Sequence, residues 1–229
     1  MKLANKTILI TGGASGIGLE LARQLQQSGN VVIVTGRDQD RLDAARRALP
    51  GLHTFNSDVS DVPAIAFLHD TVLAQFPALD VVVNNAGIMR NLDLQRDRDL
   101  ADVTREIEIN FSGPVRMVQQ FLPHLKTRKD ALIVNVSSGL AFIPLPISPV
   151  YSATKAAIHS YSQSLRVQLE GTGVTVVELA PPAVETPLGD AFAEEMGGQK
   201  VMDVTVLARR PSPASRLARW KFARAWPMF

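Results

Sequence analysis

The chain has 229 residues, 46% of them hydrophobic, and a formal net charge of +2, which is enough apolar material for one α/β domain with a sizeable core. Six basic and no acidic residues lie from Thr205 onward (Arg209, Arg210, Arg216, Arg219, Lys221 and Arg224), so against that total residues 1–204 carry −4, and the acidic body argues against a nucleic-acid binder. The lack of cysteine excludes disulfides and thiolate metal sites, and no apolar run approaches the roughly 18 residues of a membrane span. His53, His69, His124 and His159 are scattered without ligand spacing, so no metal site is expected. The short apolar run near Met1 is followed by no cleavage pattern, and the expectation is a cytoplasmic protein with no integral membrane segment.

Taken in order, β-branched runs alternate with amphipathic segments. A buried strand is expected over 6–11, then a helix over 17–28 with Ile17, Leu21 and Leu25 on one face, stopped by Gly29 and Asn30. Strand 31–35 and helix 39–49 follow, closed by Pro50-Gly51; next come a weaker strand over 52–57, a helix over 62–75 and a strand over 80–84. A polar loop over 91–98 leads into a long helix over 100–125, with Gly113-Pro114 as an irregularity inside it. Strand 131–137, helix 151–169 and strand 174–179 complete the pattern. Six strands apolar on both faces, each but the last followed by a helix, predict a doubly wound parallel sheet flanked by helices, α/β in class. Residues 1–204 are expected to form this single domain and 205–229 an atypical basic tail.

Between the first strand and first helix lies Thr11-Gly12-Gly13-Ala14-Ser15-Gly16-Ile17-Gly18. Glycines there permit a tight turn and close approach of backbone N–H groups to a pyrophosphate over the positive end of a helix. Such a turn also simply joins a strand to a helix, but its place in a βαβ unit points to a dinucleotide. The second strand ends in Thr35-Gly36-Arg37. An acidic side chain there would bind the ribose 2′-hydroxyl, whereas Arg37 pairs with a 2′-phosphate and favours NADP over NAD, despite Asp38 next to it.

Tyr151 and Lys155 are one helical turn apart and so share a face. A phenol with a reference pKa of about 10 is a poor acid or base near neutrality, but a neighbouring cation favours the phenolate and fits it for proton transfer. Ser138, at the end of the fifth strand, could hold a carbonyl oxygen. Taken alone, this spacing also suits a half-buried ring and a solvated ammonium.

In this order, TGGASGIG, NNAG at 84–87, Asn110, Ser138 and YSATK at 151–155 make the chain resemble the short-chain dehydrogenase/reductase family in its single-domain form, from about residue 6 to 188. The resemblance implies a Rossmann fold and hydride transfer between nicotinamide and a carbonyl or alcohol. It implies that Gly12, Ser15, Gly16, Ile17 and Gly18 line the pyrophosphate turn, that Asp58 and Val59 sit against the adenine, and that Asn85, Ala86 and Gly87 lie by the adenosine ribose. Tyr151 would deliver the proton, Ser138 would hold the oxygen, and Lys155 would lower the tyrosine's pKa and grip the nicotinamide ribose. Asn110 would hold a helix irregularity and a proton-relaying water, and Val184 and Thr186 would meet the nicotinamide end. Pro182 stands where the family has glycine, and a proline fixes φ and restricts Pro181. The stretch ELAPPAVETPL also looks like bacterial members associated with D-alanine esterification of lipoteichoic acid.

The wall 140–147, LAFIPLPI, offers no charge to a carboxylate or phosphate, which favours an apolar carbonyl or alcohol as substrate. Family members are commonly homodimers or homotetramers and continue with a further helix and a seventh strand. Here the residues after Asp203 lack a β-rich run, so that strand is expected to be missing or altered. Either the coding frame shifts near Asp203, or 215–226 forms a basic amphipathic helix that binds a surface. Two functions follow: a working NADP-dependent oxidoreductase, or a dinucleotide-binding sensor or impaired paralogue without turnover.

Overall fold

A computed structural model describes residues 3–182. Its six strands are β1 (Thr7–Thr11), β2 (Val31–Gly36), β3 (His53–Asn56), β4 (Leu79–Asn84), β5 (Ala131–Val136) and β6 (Val174–Leu179). All neighbours pair in parallel, in the order β3-β2-β1-β4-β5-β6. That is the doubly wound order, in which successive crossovers run outward from β1 and then outward from β4. The predicted α/β class and parallel sheet stand; β3, expected as a weaker strand over 52–57, spans His53–Asn56.

Alternation along each buried strand divides the core in two. Ile8 and Ile10 of β1 face one side with Val32 and Val34, under α1 (Gly16–Gln27) and α2 (Gln39–Ala48). Leu9, Ile33 and Val82 face the other, under α3 (Val62–Gln75), α5 (Gly113–Leu125) and α6 (Pro149–Gln168). Phe121 of α5 is fully buried there, and a ring of that kind contributes roughly 1.5–3 kcal/mol by leaving water. Among the described residues no helix is long and apolar enough to cross a membrane.

The long helix expected over 100–125 is three pieces: α4 (Leu100–Ile107), a π-helical turn (Glu108–Ser112) and α5. The irregularity thus lies just before Gly113-Pro114. Pro114 has no N–H to give the Asn110 carbonyl four residues earlier, so the ladder must change register there. Helix α6 begins at Pro149, whose fixed φ suits a first turn, and not at Tyr151. Val184, Thr186 and the tail 205–229, with the question of a seventh strand, lie outside the described residues.

Candidate active site

Crossovers diverge to opposite faces after β1 and β4, which opens a crevice at the carboxyl ends of these two neighbouring strands. Nearly all the sequence-predicted residues in the described range sit along that edge. The glycine turn follows β1, Arg37 follows β2, Asp58 follows β3, Asn85 to Gly87 follow β4 and Ser138 follows β5.

The glycine turn is fixed by close approach. Gly12 has φ +64°, and a Cβ on it would lie 2.8 Å from the Ala86 Cα, so only glycine fits against the end of β4. A Cβ on Gly18 would meet the Gly12 carbonyl oxygen at 2.5 Å, which lets α1 start directly behind the turn. Thr11 Oγ1 accepts from the amides of Asn85 and Ala86, both at 3.0 Å, and Asn85 Nδ2 donates to the carbonyls of Thr11 and Gly12. Asn85 and Ala86 therefore brace the turn. Helices α2, α3 and α4 are capped by Asp38, Asp61 and Asp99, whereas Ser15 leads into α1 without a side-chain cap and no acidic residue lies in its first turn. The orphan amides and the positive dipole end of α1 are left for an anion, which fits a pyrophosphate.

Arg37 is half exposed, and its Nη1 lies 3.6 Å from Asp58 Oδ2. Asp58 also accepts from the Ser60 amide and hydroxyl at 2.8 and 2.7 Å. Burial alone would raise its carboxyl, but the Ser60 bonds and the Arg37 charge together hold it below the usual carboxylate range. Asp38, the neighbour that clouded the reading of Arg37, is turned into α2: its Oδ1 accepts from the Arg41 amide at 3.1 Å and its Oδ2 meets Arg41 Nε at 3.3 Å. Val59 is buried beside this pair.

Tyr151 and Lys155 are buried on the first turns of α6, at 7% and 4% exposure. Lys155 Nζ donates to the Val136 carbonyl at 2.9 Å and lies 5.5 Å from the centre of the Tyr151 ring. Ser138 Oγ accepts from the Leu140 amide at 3.1 Å, which leaves the hydroxyl proton free to be donated elsewhere. Burial pushes the Tyr151 phenol up to about 12, opposed by the Ser138 hydroxyl beside it and reinforced by the Glu106 carboxyl. The spacing of lysine and tyrosine led to the opposite expectation; the depth of the phenol decides it, because desolvation penalises the phenolate. Burial also lowers Lys155 to about 8.

Asn110 lies in the π-helical turn, fully buried, with Oδ1 accepting from the Ile88 amide and Nδ2 donating to the Ile88 carbonyl and to Thr154 Oγ1. Its side chain thereby pins the β4–α4 loop beside Gly87 and Lys155, while its carbonyl is the one Pro114 cannot satisfy. Thr154 was not singled out from sequence, nor was Glu106. The latter is fully buried on α4, accepts from the Arg90 amide at 2.8 Å, and keeps Oε2 without a hydrogen bond. Burial raises its carboxyl pKa. Only contact with loop residue Arg90 could have marked it, and sequence does not carry that contact.

The short chain dehydrogenase family matches residues 6–197 of this chain. The chain is 48% identical over 198 residues to DltE of Bacillus subtilis, described as an uncharacterized oxidoreductase, covering 86% of this chain and 79% of that one. Its fold is similar to a 3-ketoacyl-(acyl-carrier-protein) reductase from Brucella melitensis complexed with NADH, with TM-score 0.82, 27% identity and coverage of 90% and 89%. It is equally similar to a single-site variant of the actinorhodin polyketide ketoreductase with NADPH, with TM-score 0.82, 26% identity and coverage of 93% and 94%.

Proposed function

The chain belongs to the short chain dehydrogenase family of oxidoreductases, and we propose that it is an NADP-preferring carbonyl reductase or alcohol dehydrogenase acting on a small apolar substrate. One observation carries the reading: the buried Tyr151–Lys155 pair lies beside Ser138, along the same sheet edge as the uncapped start of α1. The solved relatives bind NADH in one case and NADPH in the other, so a nicotinamide dinucleotide is the common cofactor. Gly12, Ser15, Gly16, Ile17 and Gly18 would hold its pyrophosphate, Asp58, Val59 and Asn85 to Gly87 would flank its adenosine half, and Val184 and Thr186 would meet its nicotinamide end. Arg37, with Asp38 withdrawn into the α2 cap, supports a 2′-phosphate and hence NADP.

A bound nicotinamide would donate a hydride to a carbonyl carbon, or in the reverse direction accept one from an alcohol carbon. The protein's own part concerns the oxygen. As carbon gains hydride, the carbonyl π pair moves to oxygen, where Ser138 and Tyr151 can donate hydrogen bonds to the growing charge. Tyr151 then transfers its proton, and Lys155 stabilises the phenolate left behind. A phenol raised to about 12 is protonated at neutral pH, the form required for donation. Asn110, through its backbone carbonyl, would connect Lys155 to a relay of water.

Exposed apolar side chains lie on the two loops that follow β4 and β5, Leu94 on one and Phe142 and Ile143 on the other, and the Leu92 amide joins the loops by bonding to the Ile147 carbonyl. Those apolar loops beside Ser138 and α4 support an aldehyde or ketone with a hydrophobic substituent. The test is NADPH consumption with hexanal, benzaldehyde and cyclohexanone, with Tyr151→Phe as control. Turnover in the wild type and its loss in Tyr151→Phe, with NADPH binding kept, is the expected result. Full activity of Tyr151→Phe would overturn the mechanism, and NADPH binding without any turnover would favour the sensor.

A further inference from the structure

A second polar cluster begins at the residue before the catalytic-site serine. The β5–β6 ladder ends at Val136 and Leu179, and the next residue, Ser137, donates its amide to the Leu179 carbonyl at 2.8 Å. Its hydroxyl, 2% exposed as a residue, donates to Glu178 Oε1 at 2.5 Å. The other carboxylate oxygen, Oε2, meets His159 Nδ1 at 2.8 Å. His159 Nε2 in turn lies 2.5 Å from the Gln163 side-chain amide, an arrangement satisfied by a ring that donates from Nδ1 and accepts at Nε2. Finally the His159 ring meets the Phe142 ring edge-on, with centroids 4.7 Å apart at 68°.

This chain of contacts links the end of β5 to the Phe142 ring by way of α6 and β6. Ser138 caps the short 3₁₀ turn Gly139–Ala141, and Phe142 closes that turn through its amide to the Gly139 carbonyl at 3.1 Å. Phe142 is 55% exposed, so the core does not fix its position; its ring contact is His159. His159 is one helical turn beyond Lys155 on α6, which ties the same clamp to the helix that carries the tyrosine and lysine.

We propose that Glu178 and His159 are positioning residues: Glu178 holds the strand end that carries Ser138, and His159 seats Phe142 as the wall against a substrate's apolar substituent. The proposal rests on the Ser138–Tyr151–Lys155 reading above, but its two halves separate experimentally. Misplacing a binding wall or a hydrogen-bond donor by a fraction of an ångström is costly to catalysis without being costly to folding. Neither residue touches the reacting atoms.

The experiment combines hydrogen exchange on the full chain with steady-state kinetics on benzaldehyde. His159→Ala should speed amide exchange over 139–143 and leave the rest of the sheet unchanged, and should raise KM roughly tenfold with kcat altered much less. His159→Phe, which keeps a ring against Phe142, should restore KM. Glu178→Ala should lower kcat about tenfold, and Glu178→Gln should restore it, because the amide oxygen still accepts from Ser137. Unchanged exchange over 139–143 in both alanine variants overturns the proposal, and that readout needs no turnover. Unchanged kinetics with only a lowered unfolding midpoint also overturns it, since that is the behaviour of a purely structural hydrogen-bond cluster. Activity retained by Tyr151→Phe would instead sink the catalytic reading itself.

Discussion

Replacing Lys155 by methionine should make the protein's stability respond differently to pH, and the size of the response follows from burial. Lys155 falls from 10.5 to about 8 because its ammonium is desolvated, and among the described residues it donates to the Val136 carbonyl alone. That depression corresponds to a cost on the order of 3 kcal/mol for folding with the lysine charged. Between pH 8 and 10.5 the unfolded chain holds this proton and the folded chain does not. Stability contributed by the group therefore rises with pH through that window and is lowest below pH 8. Methionine keeps the length and apolar stem but cannot titrate. The stability of the wild type minus that of Lys155→Met should climb by roughly 2.5 kcal/mol from pH 7 to pH 10. A pH-independent offset is superimposed, since methionine leaves the Val136 carbonyl unpaired at about 1–3 kcal/mol. Urea unfolding of both proteins at four pH values reads the difference directly, and other titrating groups cancel. A difference that stays flat from pH 7 to 10 would refute the claim that Lys155 is a buried, desolvated cation.

Further substitutions test the rest of the edge. Gly12→Ala places a Cβ 2.8 Å from the Ala86 backbone at φ +64°, so it should cost at least about 1–2 kcal/mol in thermal unfolding and weaken NADPH binding by more than about tenfold. Arg37→Ala should raise the NADPH Kd roughly ten- to hundredfold while leaving NADH within about twofold, measured by cofactor titration; equal losses for both would remove Arg37 from the 2′-phosphate. Asn135→Ala strips a fully buried partner from Asn84 and from Ser162, and should cost about 2–4 kcal/mol by urea unfolding, because Asn84 already has one unpaired buried atom.

How far these residues could be read from sequence depends on whether their neighbours are local. The β-branched runs that became β1, β2, β4, β5 and β6 were visible because parallel strands buried on both faces are apolar throughout, and the glycine turn was visible because it follows one of them directly. Tyr151 and Lys155 were readable as a pair because a helix puts residues four apart on one face. Their electrostatics were not, since spacing carries no information on depth, and depth sets the direction of the tyrosine's shift. The family resemblance put a helix irregularity at Asn110, inside the π-helical turn, whereas the Gly113-Pro114 reading placed it a few residues late, because the cause is Pro114 and its effect falls on the carbonyl four residues earlier. Ser137, Glu178 and His159 had no local signal: Ser137 and Glu178 are brought together by the pairing of β5 with β6, 41 residues apart in sequence.

Lys155 and Tyr151 also bear on how the proposed proton transfer depends on pH. In this structure the lysine's hydrogen-bond partner is a carbonyl, a neutral dipole, and the ring 5.5 Å away is a neutral phenol. The Glu106 carboxyl, whose charge disfavours the phenolate, has its own pKa raised by burial. Among the described residues the Lys155 ammonium is paired with no carboxylate. When Tyr151 gives up its proton, a phenolate appears beside that cation in a medium where charges interact strongly. The interaction is stronger after donation than before, which is the condition for lowering a barrier and not merely for binding. In the proposed reaction the protonated Tyr151 present at neutral pH would be the form that donates to a carbonyl oxygen, and the phenolate stabilised by Lys155 would be the form that accepts a proton when an alcohol is oxidised. As pH rises through about 8, Lys155 loses its charge and the advantage disappears, so reductase activity should decline across that pH while Tyr151, near 12, remains protonated.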